Sequence, residues 1–151
     1  MVALVNRKER MDRLRDLQRL KENQAAQNLK VVGEQRRRSE QQLSQLNEYQ
    51  QEYDERLRKT LSDGVSPSEL ANLRGFSRRL DQAITLQGSE VNRSGASWEG
   101  AAQRWRQSKQ KTQTLDAISQ TLGRQCRRRE ERREQESAED QGKSEGNLPK
   151  S

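Results

Sequence analysis

Two columns of residues spaced seven apart organise the second half of the chain. One column reads Leu70, Ser77, Ile84, Val91, Trp98, Trp105 and Thr112; the other reads Leu73, Leu80, Gln87, Ser94, Ala101, Ser108, Leu115 and Leu122. Most of these layers are apolar and several are polar. A three-four alternation held over so many turns predicts a helix whose seam packs against another helix. Earlier in the chain, Met11, Leu14, Leu17, Ala25, Leu29 and Val32 recur largely at threes and fours. A polar stretch follows through Gln35–Gln42, and the stripe resumes as Leu43, Leu46, Tyr49, Tyr53, Leu57 and Leu61. The residues between are mostly Glu, Gln, Arg, Lys and Leu, all good helix formers. A helix from about residue 8 to 61 would be roughly 80 Å long at ~1.5 Å per residue.

The segment Leu61-Ser62-Asp63-Gly64-Val65-Ser66-Pro67-Ser68-Glu69-Leu70 separates the two patterns. Asp63-Gly64 is a helix-stopping pair, because Gly tolerates the left-handed conformation in which helices often end. Ser66 suits the N-cap, Pro67 the first helical position, and Glu69 completes a capping box. A short connection at 62–66 sets the neighbours antiparallel. The expected fold is all-α: a long antiparallel two-helix coiled-coil hairpin over residues 1–135, then a disordered polar tail over 136–151. Gly88, Gly95 and Gly100 make the second arm softest there, at about 1 kcal/mol each relative to Ala, so a local break is left open.

Composition narrows this further. Of 151 residues, 28% are hydrophobic and 35% charged, against ~45–50% and ~25% in typical domains. That leaves too little apolar material for a layered α/β enzyme or a β-sandwich. The chain has no histidine and one cysteine, Cys126. Ser/His/Asp and Cys/His nucleophilic sites, His-ligated zinc and an intramolecular disulfide are therefore ruled out. Cys126 reads as a passive surface thiol. Glu130 and Glu131 read as helix-surface charges without an enclosing pocket. No P-loop motif occurs. The expectation is a protein that is not an enzyme, with no catalytic residue, metal, cofactor or small-molecule substrate. No apolar run approaches ~18 residues, and the N-terminus lacks the apolar core of a secretory signal. The reading is intracellular, with any membrane association peripheral.

Residues off the seam are candidates for partner contact. Phe76, Leu80, Ala83 and Gln87 follow one flank of the second helix at spacings of four, three and four, and Gln42, Leu46, Tyr49 and Tyr53 make a similar line on the first. In a hairpin closing at 62–66 both lines fall in the same half, forming one face with three aromatic rings. Two readings stand: anchors for a partner, or rings that thicken a thin core. Net charge is +7, which suits anionic partners without choosing among them. Arg36-Arg37-Arg38 and the run Arg124–Glu134 mix signs or spacing in the manner of solvated helix faces. Nucleic acid is disfavoured, since no aromatic–basic interleaving or DNA-binding motif is present.

Three stretches carry a family resemblance: Leu43-Ser44-Gln45-Leu46-Asn47-Glu48-Tyr49-Gln50-Gln51-Glu52-Tyr53, Phe76-Ser77-Arg78-Arg79-Leu80-Asp81-Gln82-Ala83-Ile84, and Trp105-Arg106-Gln107-Ser108-Lys109-Gln110. With the turn position, the pattern Leu-x-x-Tyr-x-x-x-Tyr, short turn, Phe-x-x-x-Leu-x-x-Ala resembles FliJ, the small coiled-coil component of the bacterial flagellar type III export apparatus. Similarity runs from about residue 40 to 115; both ends match only in helical character and charge.

The resemblance implies an antiparallel coiled coil similar to the rotor stalk of the F-type ATPases. It would serve flagellum biogenesis, and thereby motility and chemotaxis. Implied partners are the hexameric export ATPase FliI, the export gate protein FlhA and flagellar export chaperones. The implied location is the cytoplasm, peripheral on the inner membrane at the flagellar base. The family's gate-facing patch carries over onto Gln42, Leu46, Tyr49, Tyr53, Phe76, Leu80, Ala83 and Gln87, with Gln87 standing where relatives have histidine. The basic chain ends are expected to enter the ATPase ring, through Arg13, Arg15, Arg19, Arg124, Arg127 and Arg128. Three alternatives remain: the related stalk of virulence-type III secretion, a basic nucleic-acid-associated coiled coil, and an oligomerising tether.

Overall fold

A computed structural model describes residues 1–146. Two helices account for nearly all of them: α1 (Val2–Asp63) and α2 (Pro67–Gly146). Gly64 takes φ = 90°, where a side chain would be strained, and its N–H reaches the Leu61 carbonyl at 3.4 Å. The Glu69 N–H donates to Ser66 Oγ at 3.2 Å, and the Leu70 N–H donates to the Ser66 carbonyl at 3.0 Å. Ser66 is thus the N-cap of α2, as the sequence predicts. The turn is tighter than 62–66, because Ser62 and Asp63 remain in α1.

Both helices also run further than their patterns suggested. α1 begins at Val2. α2 passes unbroken through Gly88, Gly95 and Gly100; buried Ser94, Ala101 and Ala102 hold it against α1 across this stretch, and tertiary packing of this kind overrides propensity. Beyond 135, α2 stays helical to Gly146 with every residue exposed. Arg132 and Glu136, and Glu139 and Lys143, stand four apart, a spacing that supports a solvated helix. Residues 147–151 of the expected tail lie outside the described residues.

The chain divides into two compact units, Met1–Gln24 with Arg106–Ser151, and Ala25–Trp105. In each, the helices pair antiparallel. In the Ala25–Trp105 unit every member of the two predicted columns from Leu70 to Trp105 is buried or half-buried. Ala25, Leu29, Val32, Leu43, Leu46, Tyr53 and Leu57 of α1 face them, half-buried. Several of the most buried positions are small. Ser39 and Ser94 meet through their hydroxyls at 3.1 Å, satisfying each other inside the pair. A Cβ at Gly33 would sit 3.4 Å from Trp98 Nε1, at the edge of ordinary van der Waals contact, so the indole lies directly over this glycine. The Arg36 guanidinium lies 5.0 Å over that ring and bonds Glu40 through Nε at 3.1 Å.

The other unit departs from the apolar stripe read for residues 11–17. Met11 is half-buried, but Leu14 and Leu17 are 51% and 52% exposed. The positions facing α2 continue the seven-residue count as Lys8, Met11, Arg15, Gln18 and Glu22. Polar bonds compensate. Gln18 Nε2 donates to the Ser108 carbonyl and hydroxyl at 3.3 and 3.0 Å. Ser119 Oγ donates to Asp12 while accepting from Arg15 Nη1 at 3.2 Å. Leu122 is the large apolar residue buried in this unit among those described.

Candidate functional site

The eight residues of the predicted gate-facing patch lie together in the Ala25–Trp105 unit. Phe76 is the hub. Its ring centroid is 4.7 Å from that of Tyr53, tilted, and 6.3 Å from that of Tyr49, edge-on. The Tyr53 hydroxyl donates to the Leu73 carbonyl at 3.1 Å, which fixes one ring from its polar end. Tyr49 is 45% exposed, while Tyr53 and Phe76 are half-buried. Toward the turn the rings open into a groove lined also by Leu57, Val65, Asn72 and Leu73.

Along the other direction, Gln87 Nε2 donates to the Ser39 carbonyl at 3.0 Å and to Gln42 Oε1 at 3.2 Å. Leu46 and Ala83 are half-buried between. Leu80 differs from the rest: at 7% exposure it belongs to the core and offers little surface itself. The rings fill the seam and still present edges to solvent. Pre-fixed aromatic area of this kind favours recognition, because little ordering entropy is lost on binding. Gln50 bonds Asp81 across the helices beside the patch, a contact for which the sequence offered no signal.

The six basic candidates lie in the other unit and divide into two groups. Arg15 is committed to its neighbours: Ser119, Asp16 (3.2 Å), Asp12 (3.5 Å) and Asp116 (3.8 Å). Arg19 Nη2 bonds Asp116 at 3.3 Å, and Arg124 Nη2 donates to Thr121 Oγ1 at 3.3 Å. Arg13, Arg127 and Arg128 are exposed. Cys126 is half-buried in a groove with Lys8, Arg124 and Arg127.

Within this network the Asp12 carboxyl is held below its ordinary value of 3.8, first by the Lys8 ammonium (2.8 Å) and then by the Ser119 hydroxyl. A carboxyl depressed on folding adds stability above its unfolded value and loses it as pH falls through the folded one. The thermal-midpoint gap between wild type and Asp12→Asn should therefore be widest near neutrality and close only well below pH 3.8. A gap that persists unchanged at the acid end would show that Asp12 acts by packing alone.

Among the described residues no His, Cys, Asp and Glu cluster could hold a metal ion, and no helix is long and apolar enough to cross a membrane. The family model described as "Flagellar FliJ protein" matches residues 7–138, well beyond the 40–115 window in which side-chain resemblance was legible. The chain is also 29% identical over 110 residues to the Flagellar FliJ protein of Escherichia coli (strain K12), an alignment covering 71% of this chain and 75% of that one. No solved structure matches. With a helical hairpin, an aromatic trio beside its turn and a family match over most of its length, this chain belongs to the FliJ family.

Proposed function

We propose that this chain is a component of the bacterial flagellar protein export apparatus, serving as a stalk-like element between the export ATPase FliI and the gate protein FlhA and also binding export chaperones. The observation that carries the gate contact is the Tyr49–Tyr53–Phe76 trio, rigid and partly exposed in a member of this family. The ATPase contact is assigned to the unit that holds Arg13, Arg127 and Arg128, where exposed cations fit reversible polar contacts. Arg15, Arg19 and Arg124 are engaged within the chain and are expected to position that surface rather than to meet the partner.

The test uses the purified full chain and the cytoplasmic part of FlhA. Tyr49→Ala with Phe76→Ala should weaken binding by about tenfold or more, the scale of a lost aromatic anchor. Circular dichroism should show helicity retained, and the Leu86→Ala variant, an exposed position outside the trio, should bind as wild type does. Equal binding by wild type and the double variant would remove the patch from the gate contact.

A further inference from the structure

The two units close their helix pairs by different means. In the Ala25–Trp105 unit the inward positions are mainly apolar: Leu29, Val32 and Leu43 on α1, and Leu80, Ile84 and Val91 on α2, are all buried or half-buried. In the unit of Met1–Gln24 with Arg106–Ser151, the half-buried positions of α1 after Met11 are Asp12, Arg15, Gln18 and Glu22. On α2 the buried residues there are Thr112, Ser119 and Leu122. Directional bonds stand in for the missing apolar area. Arg15 Nη1 donates to Ser119 Oγ at 3.2 Å, while Ser119 Oγ donates to Asp12. Gln18 Nε2 donates to Ser108 Oγ at 3.0 Å, and the Asp116 carboxylate lies 3.3 Å from Arg19 and 3.8 Å from Arg15.

Apolar burial stabilises in proportion to area, whereas bonds of this kind exchange water for protein partners and give little net. A pair closed by such bonds opens more readily than one closed by an apolar seam. The bonds also share partners: Ser119 serves Arg15 and Asp12, and Asp116 serves Arg15 and Arg19. Parting one contact strips the others, which makes separation concerted rather than gradual. The ions keep one side in water, with side-chain exposures of 22% for Arg15, 27% for Asp12 and 34% for Asp116, within reach of screening by salt. We infer that this unit is a clasp: its helices part in one step while the Ala25–Trp105 unit stays closed, and ionic strength sets how often they do. Opening bares Met11, Leu115 and Leu122, apolar members of its seam that are buried or half-buried in the closed form.

Hydrogen–deuterium exchange of the full chain, read by mass spectrometry at about 0.01 M and about 1 M sodium chloride, tests the clasp; the screening length falls from about 30 Å to about 3 Å between them. Peptides from residues 8–24 and 106–122 should exchange at nearly one rate, at least about tenfold faster than those from 29–57 and 70–98. The gap should widen at high salt, each sample carrying its own reference in the second unit. Asp116→Asn should speed exchange in the clasp alone and shrink its response to salt. Gln18→Leu/Ser108→Ala removes both partners of a polar bond and adds apolar area, so it should slow exchange there by about threefold or more. Equal protection in both units, or protection that falls steadily toward the chain ends as in simple fraying, would overturn the clasp. So would a gap that salt leaves unchanged.

Discussion

Leu80→Ala is expected to lower the stability of the Ala25–Trp105 unit by about 2–4 kcal/mol, the usual loss when a buried leucine is truncated. Leu80 is the large apolar side chain buried in this unit among the described residues. The cavity left by alanine is filled only in part when the surroundings relax incompletely. Urea unfolding followed by circular dichroism would measure the change. Phe76→Ala removes more atoms but from a half-buried ring, so the loss there should be smaller. The two substitutions thereby separate stability from recognition: Leu80→Ala should affect gate binding only where it unfolds the unit, and Phe76→Ala should affect it in the fully folded chain. A loss below about 1 kcal/mol for Leu80→Ala would mean that the helix pair does not depend on this layer.

The second large effect is expected from adding atoms. Ala101 is 1% exposed, so a longer side chain there has no open space to enter and must displace its surroundings. Ala101→Leu should force the helices apart locally and destabilise by about 1–3 kcal/mol, the range for overpacked cores. Ala96→Leu, on the exposed side of the same helix, should be nearly neutral or slightly stabilising, since leucine is a good helix former. The comparison at matched chemistry makes the measurement decisive. If both substitutions are neutral, the burial of Ala101 carries no energetic weight.

Much of this architecture was legible because one physical signal, the seven-residue count, is written in apolar side chains from Leu70 to Leu122. Each member of both columns is buried or half-buried, polar layers included. The turn was legible for a different reason: Gly64, Ser66 and Pro67 each have a backbone role that few other residues fill. Residues 8–22 of α1 were misread because there the facing positions are polar. Hydrophobicity drew attention to Leu14 and Leu17, whereas the helix turns Arg15 and Gln18 inward. Extending the count backward from Val32, Leu29 and Ala25 would have found those positions. Their ability to pay for burial was not legible, because it depends on Asp116, Ser108 and Ser119, far away in the chain.

The candidate site shows the same division. The aromatic trio could be placed from spacing within each helix and the position of the turn. That Leu80 sinks into the core while Phe76, four residues earlier, keeps an edge in solvent follows from where each points along a twisting pair. Likewise, the arginines looked equivalent as a basic run, and only the structure separates Arg15 and Arg19, already engaged, from Arg13, Arg127 and Arg128.

The paired hydroxyls of Ser39 and Ser94 have a mechanical consequence. Sliding α2 past α1 by one heptad would bring Ala101 or Gln87 opposite Ser39. The first replaces the hydroxyl partner with a methyl, leaving an orphan at a cost of about 1–3 kcal/mol; the second forces a bulky amide into space shaped for a small side chain. A lateral flex leaves the contact intact. The couple thus behaves as a detent against axial shear, so a thrust applied to one strand of the hairpin is handed to the other at this layer instead of being dissipated by slippage.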